Sequence, residues 1–111
     1  MTRYLISFNE HAMDHIPDEE IPAVSDAAHA VVRAAQDAGV WVFGGGLDED
    51  VEPVTVAADG TVTGGTYPVG GLSVVDVPSR EAALEWAAKI AVACRCPQEL
   101  NVFLPDPMVG N

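Results

Sequence analysis

The chain has 111 residues, 49% of them hydrophobic, with 17 acidic against 5 basic side chains and a formal net charge of −12. That length gives one domain, residues 1–111, with a single core, and the apolar fraction excludes wholesale disorder. The acidity excludes a nucleic-acid backbone and an anionic membrane surface as partners, since both are held by Lys and Arg.

Thr2 to Phe8 is rich in Tyr, Leu, Ile and Phe and reads as a first strand. It is too short for a secretory apolar core, and no apolar run reaches the roughly 20 residues of a membrane span, so a soluble, cytoplasmic protein is expected. Asn9 to Glu20 is polar and broken by Pro17, a loop holding at most one turn. From Ile21 the apolar positions fall at Ile21, Val24, Ala28, Val31, Ala35 and Ala38, the stripe of an amphipathic helix ended by Gly39. Val40 to Gly46 reads as a second strand that is apolar on both faces.

Asp48 to Glu52 is an acidic loop, read as a solvated turn because it lacks the spacing of a calcium loop. Asp59-Gly60, between Val54–Ala58 and Thr61–Thr63, signals a two-residue hairpin. Gly64 to Gly71 reads as a loop and Leu72 to Val77 as a strand stopped by Pro78. Ser79 is a good N-cap for a second helix, whose buried stripe is Ala83, Ala87, Ile90 and Cys94, widened by Leu84, Ala88 and Ala91. Cys94 and Cys96 read as reduced thiols at its end, too few for a zinc site. Asn101 to Leu104 is a short last strand, and residues 105–111, with Pro105 and Pro107, read as an extended tail.

The order β-α-β-hairpin-β-α-β predicts an α+β fold: a ferredoxin-like split β-α-β sandwich with an inserted hairpin and both helices on one sheet face. The other face carries apolar side chains and is left open, which predicts a homodimer packed through the sheet.

Several stretches carry a family resemblance: the Tyr4-Leu5-Ile6-Ser7 opening, Ala38-Gly39-Val40 leading to Gly44-Gly45-Gly46-Leu47, and the Asp59-Gly60 hairpin. Gly70-Gly71-Leu72 before Val75-Asp76-Val77 and the string Glu81-Ala82-Ala83-Leu84-Glu85-Trp86-Ala87 complete it. On these, the chain resembles the YciI-like, or YCII-related, family and its Asp-Gly-Pro-Phe branch, within the dimeric α/β-barrel superfamily. The resemblance implies a ferredoxin-like protomer and a dimer. It also implies a His–Asp pair in or near the first helix in some members, and lyase- or dehalogenase-like relatives. Where the branch carries Asp-Gly-Pro-Phe, this chain has Gly64-Gly65-Thr66-Tyr67, so any role of that acid is not carried over.

Two histidine sets could carry chemistry. His29 lies one position off the buried stripe of the first helix, with Asp26 three residues before it and Asp37 beyond Arg33. A His with a carboxylate partner is a general base near neutral pH, while a boundary histidine among surface charges is the plainer reading. His11 and His15 bracket Asp14, and at i and i+4 on a helical turn they would share a face, either assisting catalysis from a cleft rim or binding metal. No third ligand is fixed by spacing, so no metal site is assigned. Trp41, Phe43 and Tyr67 are candidates to line an apolar pocket, with core or dimer packing as the alternative for Trp41 and Phe43. Two functions follow: a small-molecule lyase- or isomerase-type enzyme using the His–Asp pair, without an organic cofactor, or a non-catalytic dimeric module that binds a small metabolite or a protein.

Overall fold

The computed structural model describes all of residues 1–111. It is a mixed α+β fold with strands β1 (Thr2–Asn9), β2 (Trp41–Gly46), β3 (Val54–Val56), β4 (Val62–Gly64), β5 (Val69–Val77) and β6 (Glu99–Val102). Its helices are α1 (Ile21–Asp37) and α2 (Arg80–Cys94). Four strands form one antiparallel sheet in the order β2-β5-β1-β6, and β3 pairs only with β4 in a separate two-stranded hairpin. No helix is long and apolar enough to cross a membrane.

The two faces of the sheet differ as alternation requires. Tyr4 and Ile6 of β1 and Val75 and Val77 of β5 point to one face. There they form the core with Ala83, Ala87, Ile90 and Cys94 of α2 and with Cys96. Ala28 and Val31 of α1 pack partly buried against the same cluster, so both helices lie on that face. The α2 stripe expected from spacing is buried at all four positions. Leu84 and Ala88 are exposed and do not widen it. Ser79 caps α2, its hydroxyl accepting from the Ala82 N–H at 3.1 Å. Cross-strand pairing sets Phe43 beside Val74 and Val74 beside Leu5, a row of apolar residues on the opposite face. Phe43 is 65% exposed there.

Four local expectations are corrected. The hairpin turn is not a two-residue loop on Asp59-Gly60: the Gly60 N–H donates to the Ala57 carbonyl and the Ala57 N–H to the Thr61 carbonyl. Gly60 sits at φ 89°, which makes a tight turn followed by a left-handed residue. Strand β5 begins at Val69, inside the expected glycine loop, because glycines there leave room for a neighbouring ring. A Cβ on Gly71 would lie 2.5 Å from the Phe8 ring. Strand β6 runs Glu99–Val102 rather than Asn101–Leu104, in register with Ser7 to Tyr4. Residues 105–111 are not an extended tail. Asp106 and Asn111 exchange two backbone hydrogen bonds of 2.9 and 2.8 Å around a short turn, Pro107–Val109.

The chain is open. Its accessible surface is 7312 Å², about 1,500 Å² more than a compact monomer of this mass exposes. Its radius of gyration is 15.5 Å, against about 13 Å for a compact chain of this length. Part of the excess is the β3–β4 hairpin, where Val54, Val56 and Val62 are all about 60% exposed.

Candidate functional site

Helix α1 buries only Val24 and Ala35 completely. Between its inner side and the sheet lies a cavity of about 460 Å³. Val24, Ala28 and Val31 of α1 line one side and Trp41 and the Gly44–Gly46 backbone of β2 another, with Phe8, Met13, Ile90 and Cys94 among the other lining residues. The glycine run helps to make this space. A Cβ on Gly44 would lie 2.7 Å from the Trp41 ring and 2.7 Å from the Leu72 carbonyl oxygen, so the indole rests over a residue with no side chain.

The polar side chains of the lining are Ser25, His29, Ser73 and Gln98. No Asp, Glu, Lys or Arg lines the cavity, and its two titratable groups are His29 and Cys94. His29 stands at the exposed rim. Asp26 and Asp37 are exposed, lie outside the lining, and neither forms an ion pair with His29. The geometry therefore separates the expected His–Asp pair: an i,i+3 spacing allows contact on a helix surface but does not compel it.

The aromatic trio is also divided. Trp41 lines the cavity, and Phe43 is on the opposite sheet face beyond an irregularity in the β2–β5 register between Trp41 and Phe43. Tyr67 lies on an exposed loop beside a separate shallow depression that includes His11 and Glu49.

Cys94 was not legible as a cavity residue, since its position in the α2 stripe marks only core. Burial raises the Cys94 thiol above its ordinary range, with a smaller push from Cys96 beside it. Burial likewise raises Cys96, partly offset by its hydrogen bond with Gln98 at 3.5 Å. Both thiols are free. Because the unfolded chain loses these protons first, their contribution to stability is complete below the ordinary thiol range and fades as pH rises through the raised values. The urea midpoint is expected to fall between about pH 8 and about pH 10, with a shallower fall in Cys94→Ala. Equal slopes in the two proteins would show that Cys94 does not carry the effect.

A second depression, of about 390 Å³, adjoins the cavity, and Phe8 and Met13 line both. It is polar, with His11, Asp14, Asp48, Glu49 and Asp50 around it. The His11 Nδ1 lies 3.1 Å from Asp14 Oδ2, and the His11 N–H donates to Glu49 Oε1 at 3.3 Å. His11 takes φ 62°, so the segment is a chain of turns rather than the helical turn that would align His11 with His15. His15 is exposed and does not join the converging donors, which are His11, Asp14 and Glu49. The third donor comes from the acidic loop after β2, a contact between distant segments that spacing does not reveal.

No protein-family model matches the chain, and no curated protein matches it significantly.

Proposed function

We propose that this chain is a homodimeric, ferredoxin-like protein of the YCII-related kind that binds a small, uncharged, largely apolar molecule in the cavity beneath α1. The observation that carries the binding assignment is the character of that cavity: about 460 Å³, walled by apolar side chains and glycine backbone, with no charged carboxylate, ammonium or guanidinium group in its lining. Ligand pockets of this size are mostly apolar with a few polar groups that fix orientation, and Ser25, His29, Ser73 and Gln98 fill that role here. A phosphorylated or carboxylate ligand would find no cationic side chain in the lining and would enter against a net charge of −12.

The sheet order β2-β5-β1-β6 with both helices on one face supports a ferredoxin-like protomer. The Leu5–Val74–Phe43 row, the exposed valines of the hairpin and the excess surface of about 1,500 Å² support a second copy packed on the open face. That excess is of the order that one partner of a large, obligate interface buries. Two free, buried thiols are in keeping with a reducing, cytoplasmic location.

A lyase- or isomerase-type enzyme is the second reading, favoured by His29 at the cavity rim. It ranks lower because His29 lacks the orienting carboxylate and the rest of the lining offers only the raised thiol of Cys94 as an acid or base. On that reading, turnover falls about 100-fold or more in His29→Ala while ligand binding persists.

A matched pair of fluorescent ligands tests the binding assignment. N-phenylnaphthylamine is neutral, and anilinonaphthalene sulfonate has almost the same shape with a fixed negative charge. The neutral ligand is expected to bind once per chain and roughly tenfold or more tighter than the sulfonate, and Ala28→Trp, which fills the cavity from α1, abolishes binding. Tighter binding of the sulfonate, or neutral binding untouched by Ala28→Trp, rejects the assignment.

A further inference from the structure

We propose that His11, Asp14 and Glu49 form a site for a first-row divalent transition-metal ion of the zinc or manganese kind. The site is independent of the ligand assignment for the neighbouring cavity. One ligand atom from each of the three residues lies within 4.8 Å of the other two, with His11 and Asp14 on the turn after β1 and Glu49 on the loop after β2.

One of these distances has the size that coordination requires. Ligand atoms held about 2.1 Å from one ion are roughly 3.0–3.4 Å apart at adjacent positions of a tetrahedron or octahedron. His11 Nδ1 and Asp14 Oδ2 are 3.1 Å apart. Glu49 offers its carboxylate within 4.8 Å of both, and that carboxylate already accepts from the His11 backbone N–H at 3.3 Å. That hydrogen bond ties the two loops together, so the third donor is held near the first two before an ion arrives.

Charge and ligand type select the occupant. Asp48 and Asp50 join Asp14 and Glu49 around the same depression, and no Lys or Arg lines it. The chain's ion pairs leave these carboxylates without any basic partner except His11. One imidazole with two carboxylates suits zinc, manganese or ferrous iron, whereas magnesium and calcium favour sets made wholly of oxygen. Because the three donors are exposed, the remaining positions are open to water. Through Phe8 and Met13 the ion would stand one side-chain layer from the apolar cavity.

The test is equilibrium dialysis and calorimetry of the chelator-stripped, full-length protein against zinc chloride alone. The proposal expects one saturable zinc ion per chain, with binding weakened roughly tenfold or more in His11→Ala and in Glu49→Gln. It also expects unchanged binding in His15→Ala, and no displacement by an equal concentration of magnesium chloride. All three substituted side chains are exposed, so circular dichroism is expected to show the folded spectrum throughout. Absence of saturable zinc uptake by the wild type overturns the site. So does zinc binding that survives His11→Ala, or a loss in His15→Ala as large as in His11→Ala.

Discussion

Ile6→Ala is expected to lower the unfolding free energy by about 2–5 kcal/mol. Ile6 is 1% exposed and sits on the central strand β1, between Ser73 of β5 and Leu100 of β6, with its side chain in the core beneath α2. Cutting it to a methyl group removes buried apolar surface and leaves a hole that strands paired on both sides cannot close. For a domain whose whole stability is on the order of 5–15 kcal/mol, that loss is a large share. The neighbouring substitution Leu5→Ala makes the contrast. Leu5 is half-buried on the opposite face, so its cost within the protomer is smaller, and in a dimer its effect depends on protein concentration. Urea unfolding of the two variants decides the matter. A midpoint shift for Ile6→Ala no larger than that for Leu5→Ala, measured at low concentration, would show that the core is not on the face described.

Gly44→Ala is the second large effect, and it joins the fold to the site. The new methyl group would stand 2.7 Å from both the Trp41 ring and the Leu72 carbonyl oxygen. The carbonyl belongs to the β5 backbone, so β2 must shift against β5 to relieve that overlap, and the indole is displaced as well. Overpacking of this kind costs about 1–3 kcal/mol. The displaced ring also changes the cavity wall, and N-phenylnaphthylamine affinity is expected to fall roughly tenfold, which is about 1.4 kcal/mol. Gly45→Ala is the control, because a Cβ there meets nothing within 4 Å, and its cost is expected to stay within about 0.5 kcal/mol. If Gly44→Ala and Gly45→Ala behave alike in both stability and ligand affinity, the packing of Trp41 over Gly44 is refuted.

Much of the architecture was legible because burial leaves a period in the sequence. The Ala83–Ala87–Ile90–Cys94 spacing marked the buried side of α2 at every position, and the Ser79 cap marked its start. Helix α1 was placed by the same argument, but its stripe did not reveal that only Val24 and Ala35 would be fully buried and that a cavity would lie beneath Ala28 and Val31. A period shows which side of a helix faces inward and carries no information on how closely the helix approaches. The strand boundaries failed at glycines for a related reason. Gly70 and Gly71 read as loop residues, yet they are strand residues made small by the Phe8 ring over them.

The site was less legible because its contacts join distant segments. His29 lines the cavity, whereas its pairing with Asp26 or Asp37 rested on helical spacing alone and is not made. Of the three aromatic residues expected to share a pocket, only Trp41 reaches the cavity, since the register irregularity between Trp41 and Phe43 breaks the alternation along β2 and sends Phe43 to the other face. His11 was singled out with His15, its neighbour in sequence. Its actual companions are Asp14 and a glutamate 38 residues away.

Native mass spectrometry of the wild type and of Ala28→Trp, each mixed with N-phenylnaphthylamine, tests the central claim most directly, because subunit count and bound mass are read together. The account predicts a wild-type dimer carrying two ligand molecules, one per chain, and an Ala28→Trp dimer carrying none. A monomer at micromolar concentration would contradict the open-face argument, and equal ligand loading of the two proteins would contradict the cavity beneath α1 as the binding site.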